Sequence, residues 1–108
     1  MTYIGKIAYH LGIRNEVPNQ ELAALLAEEN NQVGVDEIAM YLEDKNASIQ
    51  SDCIKVLYEV GYINPRLISK YADTFIKLLD SKKNRMVWGA MIALSTIAGL
   101  VPEEIWPH

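Results

Sequence analysis

The sequence has few of the residues from which proteins build covalent or metal-bound sites. It contains one cysteine and two histidines in 108 residues. Cys53 alone cannot close an internal disulfide, and no Cys-x-x-Cys or His-x-x-His spacing occurs. We therefore expect Cys53 to pack as a small hydrophobe, and we expect the chain to bind no metal and no other cofactor.

Glycine-rich phosphate loops are also missing. The six glycines are scattered singly, and none forms a Gly-x-Gly-x-x-Gly or Walker pattern. Asp52 and Glu59 could in principle serve as an acid and a base, but with Lys55 between them a salt-bridged helix face is the favoured interpretation. The sequence thus predicts a protein that is not an enzyme.

The chain has no long hydrophobic run. Even its most apolar stretch, Met86 to Val101, is interrupted by glycine, serine and threonine, whereas a membrane span requires roughly 18 apolar residues. The chain opens without a charged start followed by an apolar run, and its cysteine content is low. These features favour a cytoplasmic protein with no membrane partner.

Basic residues are in the minority. Ten lysines and arginines against fourteen acidic residues give a net charge of −4, the wrong sign for a domain that neutralises phosphates. Eight carboxylates and no basic residue lie between Glu16 and Asp44. Such a run is typical of a solvated helix face or of a surface that attracts a basic partner.

An internal repeat is present. Shifting the sequence by 37 residues aligns side chains of the same class without a gap, as in Leu42 with Leu79, Ile49 with Met86, Cys53 with Ala90, Leu57 with Leu94 and Pro65 with Pro102. A fixed period of this length is the signature of stacked repeats, in which each unit buries its apolar face against its neighbours.

Within each unit the apolar spacing is helical. We predict a helix that starts at Pro65, with Asn64 as its cap, and continues to Leu79. The helix before it carries Ile49 and Val60 and is predicted to end near Gly61, a residue suited to closing a helix. The second helix of the next unit is expected from about Arg85 to Ala98.

These elements divide the chain into four parts. Residues 1–33 are expected to form an atypical capping helix pair, with a loop containing Pro18 between its two apolar stripes. Residues 34–63 and 64–100 are the two repeat units, and residues 101–108 are the start of a further helix or a stub. The whole is predicted to be one all-α domain, and the chain could be a fragment of a longer array.

The segment from Leu42 to Ile49, followed by Cys53 to Leu57, resembles the turn and second helix of a HEAT repeat, and Leu79 to Leu94 resembles the same segment again. Gln50 and Val87 stand where the family usually has arginine, and the usual turn proline is missing. The resemblance covers roughly Val35 to Ile105. It implies a right-handed superhelix of antiparallel helix pairs and a role in binding or scaffolding proteins, without implying an activity.

The two second helices differ at the positions expected to face solvent. In the first unit these positions are polar and include Asp52, Lys55 and Glu59. In the second unit they include Trp88 and Ile92, which make the helix apolar nearly all round. Such a helix must be covered on more than one side. With Arg85 from the basic cluster at 82–85, these residues are the predicted partner-binding set: Asp52, Lys55, Glu59, Arg85, Trp88 and Ile92.

Three functions remain open from the sequence. The first is a protein-interaction module that uses this groove. The second is a nucleic-acid-binding protein, because some HEAT-like stacks are DNA glycosylases, although the net charge makes nucleic acid the less favoured partner. The third is a homo-oligomer held by the apolar end. Further repeats of the same chain could also cover this face.

Overall fold

The computed structural model describes residues 3–100, whose regular secondary structure is all helical, with no strand. The prediction of an all-α protein is therefore confirmed for these residues. Residues 101–108, where the stub was predicted, lie outside the described range. No described helix has the length and hydropathy that crossing a bilayer requires. The six helices are α1 (Ala8–Leu11), α2 (Val17–Glu28), α3 (Gln32–Met40), α4 (Ala47–Ile63), α5 (Ala72–Leu78) and α6 (Asn84–Ile97).

The longest helix, α4, lies at the centre of the fold. It packs against α2 on one side and α6 on the other, while α3 packs against α4 and α5 against α6. The Asn46 side chain caps its start by accepting from the backbone nitrogens of Ser48 at 2.8 Å and Ile49 at 3.1 Å. Because α4 has neighbours on several sides, its apolar residues supply much of the core.

Cys53 belongs to this core and is fully buried. Burial, with the nearby charge of Asp52 as a smaller contribution, raises the pKa of its thiol to about 12. A thiol that stays protonated is a poor nucleophile. The structure therefore agrees with the expectation that Cys53 acts as a small apolar side chain.

The predicted helix from Pro65 to Leu79 is broken in the structure. Two 3₁₀ turns, Pro65–Leu67 and Ser69–Tyr71, precede α5. Leu67 and Ile68 are both buried, so this segment contributes to the core although it is not a regular helix. The Asn64 side chain makes no cap and instead donates to Asn30 Oδ1 at 3.1 Å.

Part of the acidic run has an internal structural role. The Glu37 carboxylate accepts from the backbone nitrogens of Tyr3 at 2.7 Å and Ile4 at 2.9 Å. Asp36 accepts from Tyr71 and Lys70 of the following unit. Burial alone would raise the pKa of Asp36, but these hydrogen bonds, together with one from Gln32, lower it below its usual value. The run is thus not only a solvated face.

Two predictions about turn residues are wrong. Pro18 lies in the first turn of α2 and not in a loop, because a helix start requires no hydrogen bond from its nitrogen. Gly61 does not close α4, which continues to Ile63. A Cβ atom at Gly61 would lie 2.9 Å from the Cβ atom of Thr96, so this glycine allows close approach of α4 to α6.

Gly89 makes the same kind of contact from the opposite helix. The 37-residue register aligns Gly89 with Asp52, a position expected to face solvent, but Gly89 is buried. A Cβ atom there would lie 2.6 Å from Ile54 Cγ1 and 2.8 Å from Ile54 Cγ2. The position faces the preceding second helix because these helices lie side by side in the fold.

Gly89→Ala provides a test of this packing. Alanine normally stabilises a helix interior by about 0.5–1 kcal/mol over glycine. Here the buried, β-branched Ile54 side chain blocks the new methyl, so we expect a net destabilisation of about 1–3 kcal/mol in chemical denaturation. Gly99→Ala, which would meet nothing within 4 Å, is the matched control. Stabilisation by Gly89→Ala would contradict the close contact.

Candidate functional site

A groove of about 410 Å³ lies between the loop after α1 and the helices α4 and α6. The sequence predicted six partner-binding residues, and five of them line this groove. They are Asp52 and Lys55 from α4, and Arg85, Trp88 and Ile92 from α6. The sixth, Glu59, contacts the Lys55 side chain without lining the groove.

Helical spacing explains how α6 presents its residues. Trp88 follows Arg85 by three positions and Ile92 follows Trp88 by four, so the three side chains lie along one side of the helix. Tyr58 lies one turn beyond Lys55 on α4 and lines the same groove. The two helices therefore form the two long walls.

The third wall is the loop of residues 12–16. Gly12 has a left-handed backbone, with φ of 69°, and closes α1. The backbone nitrogen of Ile13 then donates to the carbonyl of Ala8 at 3.0 Å, an arrangement typical of helix ends. This turn places Ile13 and Arg14 along the groove.

Asp52 has an internal role. One carboxylate oxygen accepts from the backbone nitrogen of Tyr9 at 2.7 Å and the other from Asn19 Nδ2 at 2.9 Å. Asn19 is 1% exposed, and its Oδ1 atom accepts from the backbone nitrogen of Ala8 at 2.9 Å. Asp52 therefore anchors both α1 and α2 to α4 and shapes the groove from inside.

Lys55 and Glu59 form an ion pair with each other. The Lys55 Nζ atom lies 2.7 Å from Glu59 Oε2 and 3.3 Å from Glu16 Oε2, and it lies over the ring of Tyr58. Its side chain is only 12% exposed. Burial alone would lower the pKa of Lys55, but hydrogen bonds led by the one to Glu59 raise it above its usual value. The predicted salt bridge is present, but it is largely covered.

The other three predicted partner-binding residues are accessible to solvent to different degrees. Trp88 is 64% exposed, Arg85 is exposed, and Ile92 is half-buried. Arg14 is also exposed and was missed by the sequence analysis, because it lies outside the repeat register. Within residues 3–100, neither arginine has a carboxylate oxygen within 4.0 Å.

The groove thus combines an aromatic and apolar surface with two guanidinium groups. Within the described part of the chain, no group of three His, Cys, Asp or Glu side chains is placed to hold a metal ion. The charged side chains deepest in the groove, Asp52 and Lys55, are engaged by other parts of the chain. The arrangement suits recognition of another molecule by apolar contact and charge.

The chain was compared with family models, curated proteins and solved structures, and no match was found in any of the three.

Asp52→Asn tests whether the Asp52 carboxylate anchors α1 and α2 to α4. The amide has one acceptor oxygen in place of two, so one of the two hydrogen bonds is lost. We expect a destabilisation of about 1–3 kcal/mol, with either faster hydrogen exchange at the Tyr9 backbone amide or a shift of the Asn19 side-chain amide resonances, depending on which donor loses its acceptor.

Asp80→Asn is the charge-matched control, since Asp80 is exposed in the turn before α6. It should change stability by less than about 0.5 kcal/mol. An Asp52→Asn variant that changes neither the stability, nor exchange at Tyr9, nor the Asn19 side-chain amide resonances would show that this carboxylate does not hold the N-terminal segment.

Proposed function

We propose that this chain is a HEAT-like protein-interaction module without catalytic activity, and that the groove between α4 and α6 binds its partner. The repeat register and the packing of α3 on α4 and α5 on α6 support a right-handed superhelix of helix pairs. The proposal includes a scaffolding role in the cytoplasm. It rests most on one observation, the convergence on a single groove of five of the six residues predicted from the sequence to bind a partner.

An exposed tryptophan is the central feature of this proposal. Trp88 lies between Arg85 and Ile92 on α6, and 64% of its surface is open. Tryptophan and arginine are enriched among the residues that dominate protein-binding energies. Covering most of the Trp88 ring would contribute on the order of 1–3 kcal/mol, since burying a large apolar side chain stabilises by about this amount.

The contacts of the candidate acid, base and nucleophile favour binding over catalysis as the function of this chain. The two carboxylates that could act as acid and base, Asp52 and Glu59, are engaged by Asn19 and Lys55 respectively. The thiol of Cys53 is buried and protonated. These contacts favour a structural role for each group over proton transfer or nucleophilic attack.

Nucleic-acid binding is the second candidate, because an exposed aromatic ring beside arginines is a common platform for a stacked base. The net charge of −4 opposes it. Asp52, one of two acidic residues that line the groove, is also held by Tyr9 and Asn19 and is not presented to a ligand.

Association between copies, or coverage by further repeats, is the third candidate. Met91 is 48% exposed on α6, close in sequence to Trp88, so this helix carries more open apolar surface than the groove alone. Light scattering at micromolar concentration separates this candidate from the first, since a module that binds a different protein can remain a monomer.

Photo-crosslinking tests the main proposal. A photoreactive amino acid replacing the exposed Asn84, which lines the groove next to Arg85, should crosslink to another protein in cells of the source organism. We expect Trp88→Ala to reduce this crosslink by about tenfold, equivalent to about 1.4 kcal/mol, and Trp88→Ala with Ile92→Asp to abolish it.

Met40→Ala is the matched control because Met40 is 75% exposed on α3, away from the groove. It should leave the crosslink intact. Ile92 is half-buried, so circular dichroism must show that each variant is folded. A crosslink that survives both groove variants would overturn the proposed function.

A further inference from the structure

Arg14 and Arg85 come from distant parts of the sequence and meet at one opening. Arg14 lies in the loop of residues 12–16, and Arg85 is in the first turn of α6. Both line the groove, and both also line an adjoining pocket of about 400 Å³ that includes Ser48 and Tyr9. The fold therefore concentrates two guanidinium groups at one end of the candidate site.

The carboxylates of the groove do not neutralise these arginines. Asp52 accepts hydrogen bonds from Tyr9 and Asn19, and Glu16 pairs with Lys55. Across residues 3–100 no carboxylate oxygen lies within 4.0 Å of either guanidinium. In a chain with a net charge of −4, this is a local site of the opposite sign.

The surroundings add to the positive field. The first turn of α6 contains no acidic residue, and Lys82 and Lys83 immediately precede it. Farther along the same side of α6, Trp88 and Ile92 form the apolar part of the groove. The site thus runs from a positively charged end to an apolar end.

We propose that the groove binds an acidic segment of a partner protein. Carboxylates of that segment bind Arg14 and Arg85, and a neighbouring apolar side chain packs on Trp88 and Ile92. Guanidinium groups suit this role because their planar donors match both oxygens of a carboxylate. This inference rests on the proposed function and adds to it that the partner segment is acidic.

A short acidic segment fits better than a nucleic acid strand. Glu16, the first carboxylate of the acidic run, lines the groove, and its side chain is 65% exposed. A strand carries a phosphate on every nucleotide, and repulsion between these phosphates and such a carboxylate extends over about 10 Å at 0.1 M salt. A segment with few carboxylates reaches the arginines without this cost.

Fluorescence anisotropy with synthetic probes tests the inference on the full chain. The acidic probe is a short labelled peptide with two aspartates on each side of a leucine. The comparison probes carry asparagine or lysine in place of aspartate, and a fourth probe is single-stranded oligothymidine. We expect the acidic peptide to bind at least about tenfold more tightly than the others, and more weakly as salt increases.

Charge-neutral variants locate the binding. Arg14→Gln with Arg85→Gln should weaken binding of the acidic peptide by at least about tenfold. Arg66→Gln with Lys77→Gln removes the same charge from exposed positions that do not line the groove, and it should change the affinity by less than about threefold. Trp88→Ala should also weaken binding of the acidic peptide, because the leucine of the peptide loses its contact with the Trp88 ring.

Three results would overturn the inference. In the first, the acidic peptide binds no more tightly than the asparagine peptide. In the second, the groove variant and the control variant lose the same amount of affinity for the acidic peptide. In the third, oligothymidine binds most tightly of the four probes and loses its binding in the Arg14→Gln, Arg85→Gln variant. The crosslinking experiment distinguishes failure of the acidic-partner inference from failure of the proposed function. A partner released by Trp88→Ala but retained by the arginine variant would leave the groove as a binding site for a partner that is not acidic.

Discussion

The structure depends on the packing of α4 between α2 and α6. Val56, Leu57 and Val60 of α4 are fully buried because helices cover it on several sides. Gly61 and Gly89 bring α4 and α6 together, since neither position has room for a Cβ atom. If these two helices were farther apart, the groove would lose the spacing between its two long walls.

Polar contacts on the same helix fix the third wall. Asp52 holds the starts of α1 and α2, and Lys55 holds Glu16 at the end of the loop. Buried charges are stable only when they are paired or hydrogen-bonded, and both of these side chains meet that condition. Their role is therefore to place Arg14 opposite Arg85 and Trp88, which are the groups left open to a partner.

The sequence predicted the features that follow from helical spacing. The 37-residue register located α4 and α6, and Ile49 and Met86 both lie in the core as it required. Its solvent-side positions include Trp88 and Ile92, and the basic cluster at 82–85 supplied Arg85; the structure brings all three to one groove. The helices could be predicted because apolar periodicity is a local property of the chain. The kinship with HEAT repeats is part of the proposal.

Features that depend on contacts between distant segments were not predictable. Nothing in the sequence near Asp52 indicates that Asn19 would occupy its carboxylate, or that Arg14 would complete the site. Gly61 was misread because a glycine that ends a helix and a glycine at a helix contact look alike in one sequence, and the burial of Gly89 depends on α4 lying beside α6. The 3₁₀ turns after Pro65, which place Leu67 and Ile68 in the core, are likewise not indicated by local helical spacing.

The most direct measurement of this arrangement is proton NMR of the protein in solution. The account predicts strong nuclear Overhauser effects between the α-protons of Gly89 and the γ-methyl of Ile54, and between Gly61 and the side chain of Thr96. Absence of the Gly89 to Ile54 contact in a folded sample would contradict the central packing of α4 and the groove that depends on it.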